Sequence, residues 1–282
     1  MKRKRFQVES RCVNNNRSNM SQADEQKVVS LNQDQEPVSA KEKLRSKGIY
    51  LLPNLFTTGA LFSGFYAVVA SMNGHFDKAA IAIFIAMILD GLDGRVARMT
   101  NTQSEFGAEY DSLADMVSFG VAPALVAFSW SLQSLGQAGW IAAFIYVAGA
   151  ALRLARFNTQ IDTADKNYFT GLASPAAAAI VAGTVWALND YGVTGEQVSI
   201  LMALVVGATG ILMVSNVLYH SFKGFDLKGK VPFVAMLAVV GVFAVVAIDP
   251  PLILLAIFLV YGLSGPVVTA KKMFKERKSA QK

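Results

Sequence analysis

Asp90-Gly91-Leu92-Asp93-Gly94-Arg95-Val96-Ala97-Arg98, followed by Gly107-Ala108-Glu109-Tyr110-Asp111-Ser112-Leu113-Ala114-Asp115, sets two pairs of carboxylates inside sequence that is otherwise membrane-like. At about 100° per residue, one helix carries Asp90, Asp93, Gly94 and Ala97 within about 100° of each other, and another puts Asp111 about 40° from Asp115. Two short acidic ladders can therefore face each other, and the rest of the chain reads as their support.

The chain has 282 residues, 53% of them hydrophobic and 16% charged. That balance suits a polytopic membrane protein and is atypical of a soluble domain. Apolar blocks fall at 49–72, 77–98, 108–131, 137–157, 173–189, 196–218, 231–248 and 251–269, each near the ~20 residues needed to cross a bilayer. The sequence thus predicts an all-α bundle of about eight transmembrane helices, with 173–189 or 251–269 as the segment that could instead be re-entrant or interfacial. Around a membrane domain at 49–270 lie a polar, disordered tail at 1–38, a short interfacial helix at 39–48 introduced by Ser39 and Glu42, and a basic tail at 271–282.

The net charge of +6 could suggest a nucleic-acid partner, but Lys and Arg gather at the ends and in short loops. Predicted inner segments hold Lys166, Lys223, Lys228, Lys230, Lys271, Lys272, Lys275, Arg277 and Lys278, whereas predicted outer loops hold Lys78 against Asp77, Asp190, Glu196 and Asp249. This is a positive-inside pattern with both termini cytoplasmic, and no nucleic acid is expected. Under it, Asp90 lies about 20 Å into an inward-running helix, toward the cytoplasmic face, and the helix that returns from that face carries Asp111 and Asp115 at similar depth.

Ionisable groups at the bilayer centre cost ~2.5–3.5 kcal/mol each on insertion scales, so four in one layer need neutralising. Arg95 and Arg98 could pair with two of them, the cluster could relay protons or sodium in a transporter, or it could hold divalent metal. Cys12 is the single cysteine, and the two histidines, His75 and His220, are far apart, so any metal is held by oxygen, as suits Mg²⁺, Mn²⁺ or Ca²⁺. Glycines 91, 94 and 107 and alanines 97, 108 and 114, interleaved with the carboxylates, allow close helix approach and leave room for a headgroup. A transporter should show inverted repeats, and no internal symmetry is visible in the sequence.

Asp90-x2-Asp93-Gly94-x2-Ala97-Arg98-x8-Gly107-x3-Asp111-x3-Asp115 resembles the complete signature of the CDP-alcohol phosphatidyltransferase family. The resemblance implies a site for two divalent cations (Mg²⁺ or Mn²⁺, or Ca²⁺) on Asp90, Asp93, Asp111 and Asp115, with Asp115 as general base. It also implies CDP-diacylglycerol contacts at Gly94, Ala97, Arg98, Ser104 and Gly107. Pro53-Asn54-Leu55-Phe56-Thr57 is similar to a shorter nucleotide-contact motif of the family, which adds Pro53, Asn54 and Thr57. An integral protein of the inner or plasma membrane, with its site near the cytoplasmic face and a homodimeric state, is implied as well.

Arg153-Leu154-Ala155-Arg156-Phe157-Asn158 and Phe169-Thr170-Gly171-Leu172-Ala173-Ser174-Pro175 resemble the serine-using branch of that family, which usually has Pro where this chain has Ala173. The branch implies transfer of the phosphatidyl group from CDP-diacylglycerol to L-serine. Arg153 and Arg156 can receive a carboxylate, and Asn158 can hydrogen-bond the acceptor. Other acceptors of the family, namely glycerol 3-phosphate, inositol phosphate and choline, stay open. A plainer reading ends the helix with arginines at the anionic inner leaflet.

Overall fold

The computed structural model describes residues 40–159, 168–220 and 233–280. The tail at 1–38 and the loop lysines Lys166, Lys223, Lys228 and Lys230 lie outside the described residues. From Ile49 onward the chain makes one compact unit, distinct from Met1–Gly48. The helices among the described residues are α1 (Ala40–Met72), α2 (Phe76–Thr100), α3 (Glu105–Asp115), α4 (Ala122–Trp130), α5 (Gln137–Thr159), α6 (Ser174–Asp190), α7 (Ser199–Val214), α8 (Phe233–Val246) and α9 (Pro250–Ala280). A π-helical segment, Met116–Val121, joins α3 to α4. Two three-residue strands, β1 (Tyr168–Thr170) and β2 (Leu218–His220), pair antiparallel with Phe169 opposite Tyr219. α1 takes in most of the segment expected to form a short helix of its own and continues past Gly48.

All eight predicted apolar blocks contain helix, but among the described residues five helical stretches are long and apolar enough to cross a membrane: Pro53–Met72, Glu105–Trp130, Gln137–Thr159, Gly195–Val214 and Pro250–Lys271. The other three differ for separate reasons. α6 has 17 residues and α8 has 14, both short for a ~30 Å hydrocarbon core. α2 is long enough, but Asp77, Lys78, Asp90, Asp93, Arg95 and Arg98 punctuate it. The helix that carries half of the acidic cluster is thus marked by its own charge.

Alanine-rich α6 lies at the centre, buried along most of its length and packed on α2, α4, α7 and α9. Small side chains let those neighbours close on its backbone. α5 and α7 cross where Gly149 meets Gly210, and a Cβ on Gly149 would stand 2.4 Å from the Gly210 carbonyl oxygen. The π segment has a local cause as well. In α-helical register the Phe119 carbonyl would accept from residue 123, which is proline and has no N–H. The fully buried Tyr146 hydroxyl of α5 donates to that carbonyl at 3.0 Å instead.

The connection after α5 returns through β1 to Gly171, whose φ of +83° and contact with the Met213 backbone suit only glycine. Gly171 and Leu172 N–H donate to the carbonyls of Val217 and Leu212. On the other side β2 is tied to α9. Leu218 N–H donates to Thr269 Oγ1 at 2.9 Å, and the buried Tyr219 hydroxyl donates to the Gly262 carbonyl at 3.0 Å. Both strands thereby hold the α5–α6 connection against the α7 and α9 ends.

Candidate active site

The turn between α2 and α3 brings the two acidic ladders together. Asn101 adopts the left-handed conformation (φ 51°) that closes α2, a role asparagine fills with little strain. Ser104 caps α3, its Oγ accepting from Gly107 N–H at 3.0 Å. Four residues therefore separate the end of α2 from the start of α3, and α3 begins at the end of the bundle where α2 finishes. Asp90, Asp93 and Asp111 each offer an oxygen within 4.8 Å of the others. Asp115 completes the group, its carboxyl in hydrogen-bonding contact with that of Asp90.

Four acidic groups at such distances require protons or cations between them. Neither Arg95 nor Arg98 forms an ion pair with them; Arg98 is exposed and turns its Nε to the Gly94 carbonyl at 2.9 Å. The internal salt-bridge explanation of the cluster is therefore set aside. Asp111 Oδ1 is buried without a hydrogen-bond partner among the described residues, an arrangement that costs about 1–3 kcal/mol or more if nothing occupies it. An all-oxygen donor set with an orphaned carboxylate oxygen fits a hard divalent cation.

Asp93, only 4% exposed, is held from the side by α1. The Thr57 hydroxyl has one proton and two acceptors in reach, Asp93 Oδ2 at 2.7 Å and the Pro53 carbonyl at 3.1 Å. The shorter, charge-assisted bond is the stronger. Thr57, expected at the nucleotide, thus has a partner in the acidic cluster. Asn54 approaches Gly107, where a Cβ would lie 3.6 Å from Asn54 Oδ1, so the α1 motif and the start of α3 do share one region. Pro53 is buried. Ser104, expected at the CDP moiety, is engaged as the α3 cap.

The small residues divide into two uses. A Cβ on Gly91 would meet nothing within 4 Å, and one on Gly94 would meet only Arg98 Nη2 at 3.9 Å. These glycines leave open space beside the aspartates. Gly64 of α1, by contrast, lies where a Cβ would be 2.6 Å from Ser118 Oγ, so it permits contact between helices. Ala97 is half-buried on the inner part of α2.

The α5 end meets the same region through side chains from three other elements. Arg153 Nη1 donates to Ser174 Oγ at 2.6 Å and interacts electrostatically with Asp115. Arg156 Nη1 donates to Asn216 Oδ1 at 3.3 Å, between α7 and β2. Asn158 Nδ2 donates to Ser112 Oγ at 3.1 Å, one residue from Asp111. The two arginines, read as a pair from their i, i+3 spacing, thus have different partners, and Arg153 is the one linked to the acidic cluster. Ser112 and Asn216 were not marked in the sequence. Their signal was a polar residue within the acidic helix and a Ser215-Asn216 break after a long apolar run.

An all-α membrane bundle with a partly buried carboxylate cluster beside an open, glycine-lined space has the form of a site for a metal-bound anionic headgroup. The CDP-alcohol phosphatidyltransferase model matches residues 50–218, which include the whole signature and the chain from α5 to the start of β2. Curated relatives agree. The CDP-diacylglycerol--serine O-phosphatidyltransferase of Helicobacter pylori (strain ATCC 700392 / 26695) is 37% identical over 234 residues, covering 82% of this chain and 98% of the relative. Proteins of the same name from Mycobacterium leprae (strain TN; 35%, covering 77% of this chain and 74% of the relative) and Methanocaldococcus jannaschii (37%, 64% and 80%) are also similar. The chain belongs to the CDP-alcohol phosphatidyltransferase family and is accordingly a transferase of phospholipid biosynthesis.

Proposed function

We propose that the protein transfers the phosphatidyl group of CDP-diacylglycerol to the hydroxyl of L-serine, giving phosphatidylserine and CMP. The observation that carries this reading is the convergence of Asp90, Asp93 and Asp111 within 4.8 Å of one another, with Asp115 interacting with Asp90, Asp111 and Arg153. The names of the relatives support serine as the acceptor. Eight membrane spans with both termini cytoplasmic, a location in the inner or plasma membrane with the site near the cytoplasmic face, and a homodimer complete the proposal.

Asp90, Asp93, Asp111 and Asp115 would hold two divalent cations, Mg²⁺ or Mn²⁺, whose charge would neutralise the pyrophosphate and stabilise the departing CMP. Asp115 accepts the proton of the serine hydroxyl. The serine oxygen forms a bond to the phosphorus nearer the diacylglycerol as the bond from that phosphorus to the bridging oxygen breaks, and CMP leaves. Gly91 and Gly94 leave room for the pyrophosphate, and Arg98, Asn54 and Gly107 border the nucleotide. Arg153 receives the serine carboxylate, and Asn158 and Arg156 complete the acceptor side.

Purified protein given CDP-diacylglycerol, Mn²⁺ or Mg²⁺ and a panel of alcohols tests the assignment by CMP release. Serine-dependent release is expected. Release that ignores serine, or that requires glycerol 3-phosphate, inositol phosphate or choline, overturns it. Asp115→Asn should bind CDP-diacylglycerol and fail to turn over; near-parental rates would remove Asp115 as the base.

A further inference from the structure

Ser174 was only one letter of a motif in the sequence, yet in the structure it is the most deeply buried hydrogen-bond partner of the acceptor-side residues. It is 1% exposed at the first position of α6, and its Oγ accepts from Arg153 Nη1 at 2.6 Å. This geometry is costly for stability alone. A guanidinium is set at the amino end of a helix, where the helix dipole disfavours a cation. Arg153 also interacts electrostatically with Asp115. One edge of the guanidinium is thus pinned to α6 by Ser174, on a side chain that also interacts with the proposed base.

The backbone around Ser174 is fixed independently of Arg153. Gly171 and Leu172 are bonded to Val217 and Leu212, and β2 is bonded to α9. Ser174 therefore transmits the position of that scaffold to Arg153. We infer that Ser174 is a positioning residue for acceptor recognition: its hydroxyl aims the Arg153 guanidinium so that a carboxylate-bearing alcohol is held with its hydroxyl toward Asp115. The inference rests on the proposed function and deepens it, since it assigns selection for the acceptor carboxylate to the Arg153–Ser174 bond.

The test is steady-state kinetics of CMP release by the full chain, comparing Ser174→Ala and Ser174→Thr with the parent. A lost hydrogen bond to a charged group is expected to raise the KM for serine about 10-fold or more in Ser174→Ala. The KM for CDP-diacylglycerol should not move. Ser174→Thr, which keeps the hydroxyl, should restore most of the serine KM. Serinol, which lacks the carboxylate, provides a second readout: the parent should prefer serine over serinol, and Ser174→Ala should narrow that preference by a similar factor. An unchanged serine KM, a parallel rise in both KM values, or a Thr variant as impaired as the Ala variant overturns the inference while leaving the proposed function standing. A parent that does not use serine defeats the proposed function itself.

Discussion

Thr57→Val is the substitution that best separates metal binding from nucleotide binding at this site. Valine keeps the shape of threonine in a position that is 3% exposed, and removes only the hydroxyl that donates to Asp93 Oδ2 at 2.7 Å. Asp93 then keeps its charge and its burial but loses a donor that orients it. A hydrogen bond to a charged group contributes about 1.5–3 kcal/mol, or about 10- to 100-fold in an equilibrium constant. Loss of a partner that orients a metal ligand falls in the same range, about 10- to 100-fold in affinity. The half-saturating Mg²⁺ or Mn²⁺ concentration should rise by that factor, while turnover at saturating metal returns to within about threefold of the parent.

The assay is CMP release titrated with metal at fixed, saturating CDP-diacylglycerol and serine. It is repeated with CDP-diacylglycerol varied at saturating metal. Thr57→Ser, which retains the donor, should behave as the parent. If the metal titration of Thr57→Val overlays the parent and the KM for CDP-diacylglycerol rises instead, Thr57 acts on the nucleotide and its bond to Asp93 is incidental. That result would refute the reasoning from the 2.7 Å contact.

Tyr146→Phe leaves the Phe119 carbonyl without the hydroxyl that Pro123 makes necessary, and should cost about 1–3 kcal/mol, read as a fall in the Tm of the detergent-solubilised protein. Gly149→Ala forces a methyl to 2.4 Å from the Gly210 carbonyl oxygen; it should part α5 from α7 and destabilise by about 1–3 kcal/mol or more, seen in the same melt. At the opposite end from the aspartates, the Tyr191 hydroxyl donates to Asp249 Oδ2 at 2.6 Å, and this bond, before any effect of burial, raises the phenol above its ordinary value. A raised pKa means the contribution is complete at neutral pH and is lost only as pH climbs through the raised value. Absorbance titration at alkaline pH, taken as the difference between the parent and Tyr191→Phe, should show the late phenol, and Asp249→Asn should bring it back down.

The parts of this molecule that could be read in the chain were those set by local periodicity. Carboxylates at i, i+3 and i, i+4 declared the acidic ladders, and apolar blocks declared the helices, because both depend on one helix at a time. What escaped depends on several helices at once. Nothing in Pro53-Asn54-Leu55-Phe56-Thr57 says that the threonine faces Asp93 of another helix rather than a nucleotide. Spacing put Arg153 and Arg156 on one face, but their partners come from α6 and from the α7–β2 break, which no periodicity links to α5. The glycines make the same point. Gly64 and Gly94 look alike in sequence, yet one closes a helix contact on Ser118 and the other opens a space beside the aspartates. The number of spans is caught in the same conflict. A hydropathy count penalises α2 for the very charges that its partner α3 is placed to share, so a helix that carries an acidic cluster is the kind that such a count omits. Charge inside an apolar helix is expensive unless a second helix and a ligand answer it. The gap in the apolar count at α2 and the cluster of Asp90, Asp93 and Asp111 are therefore one observation, made once in sequence and once in space.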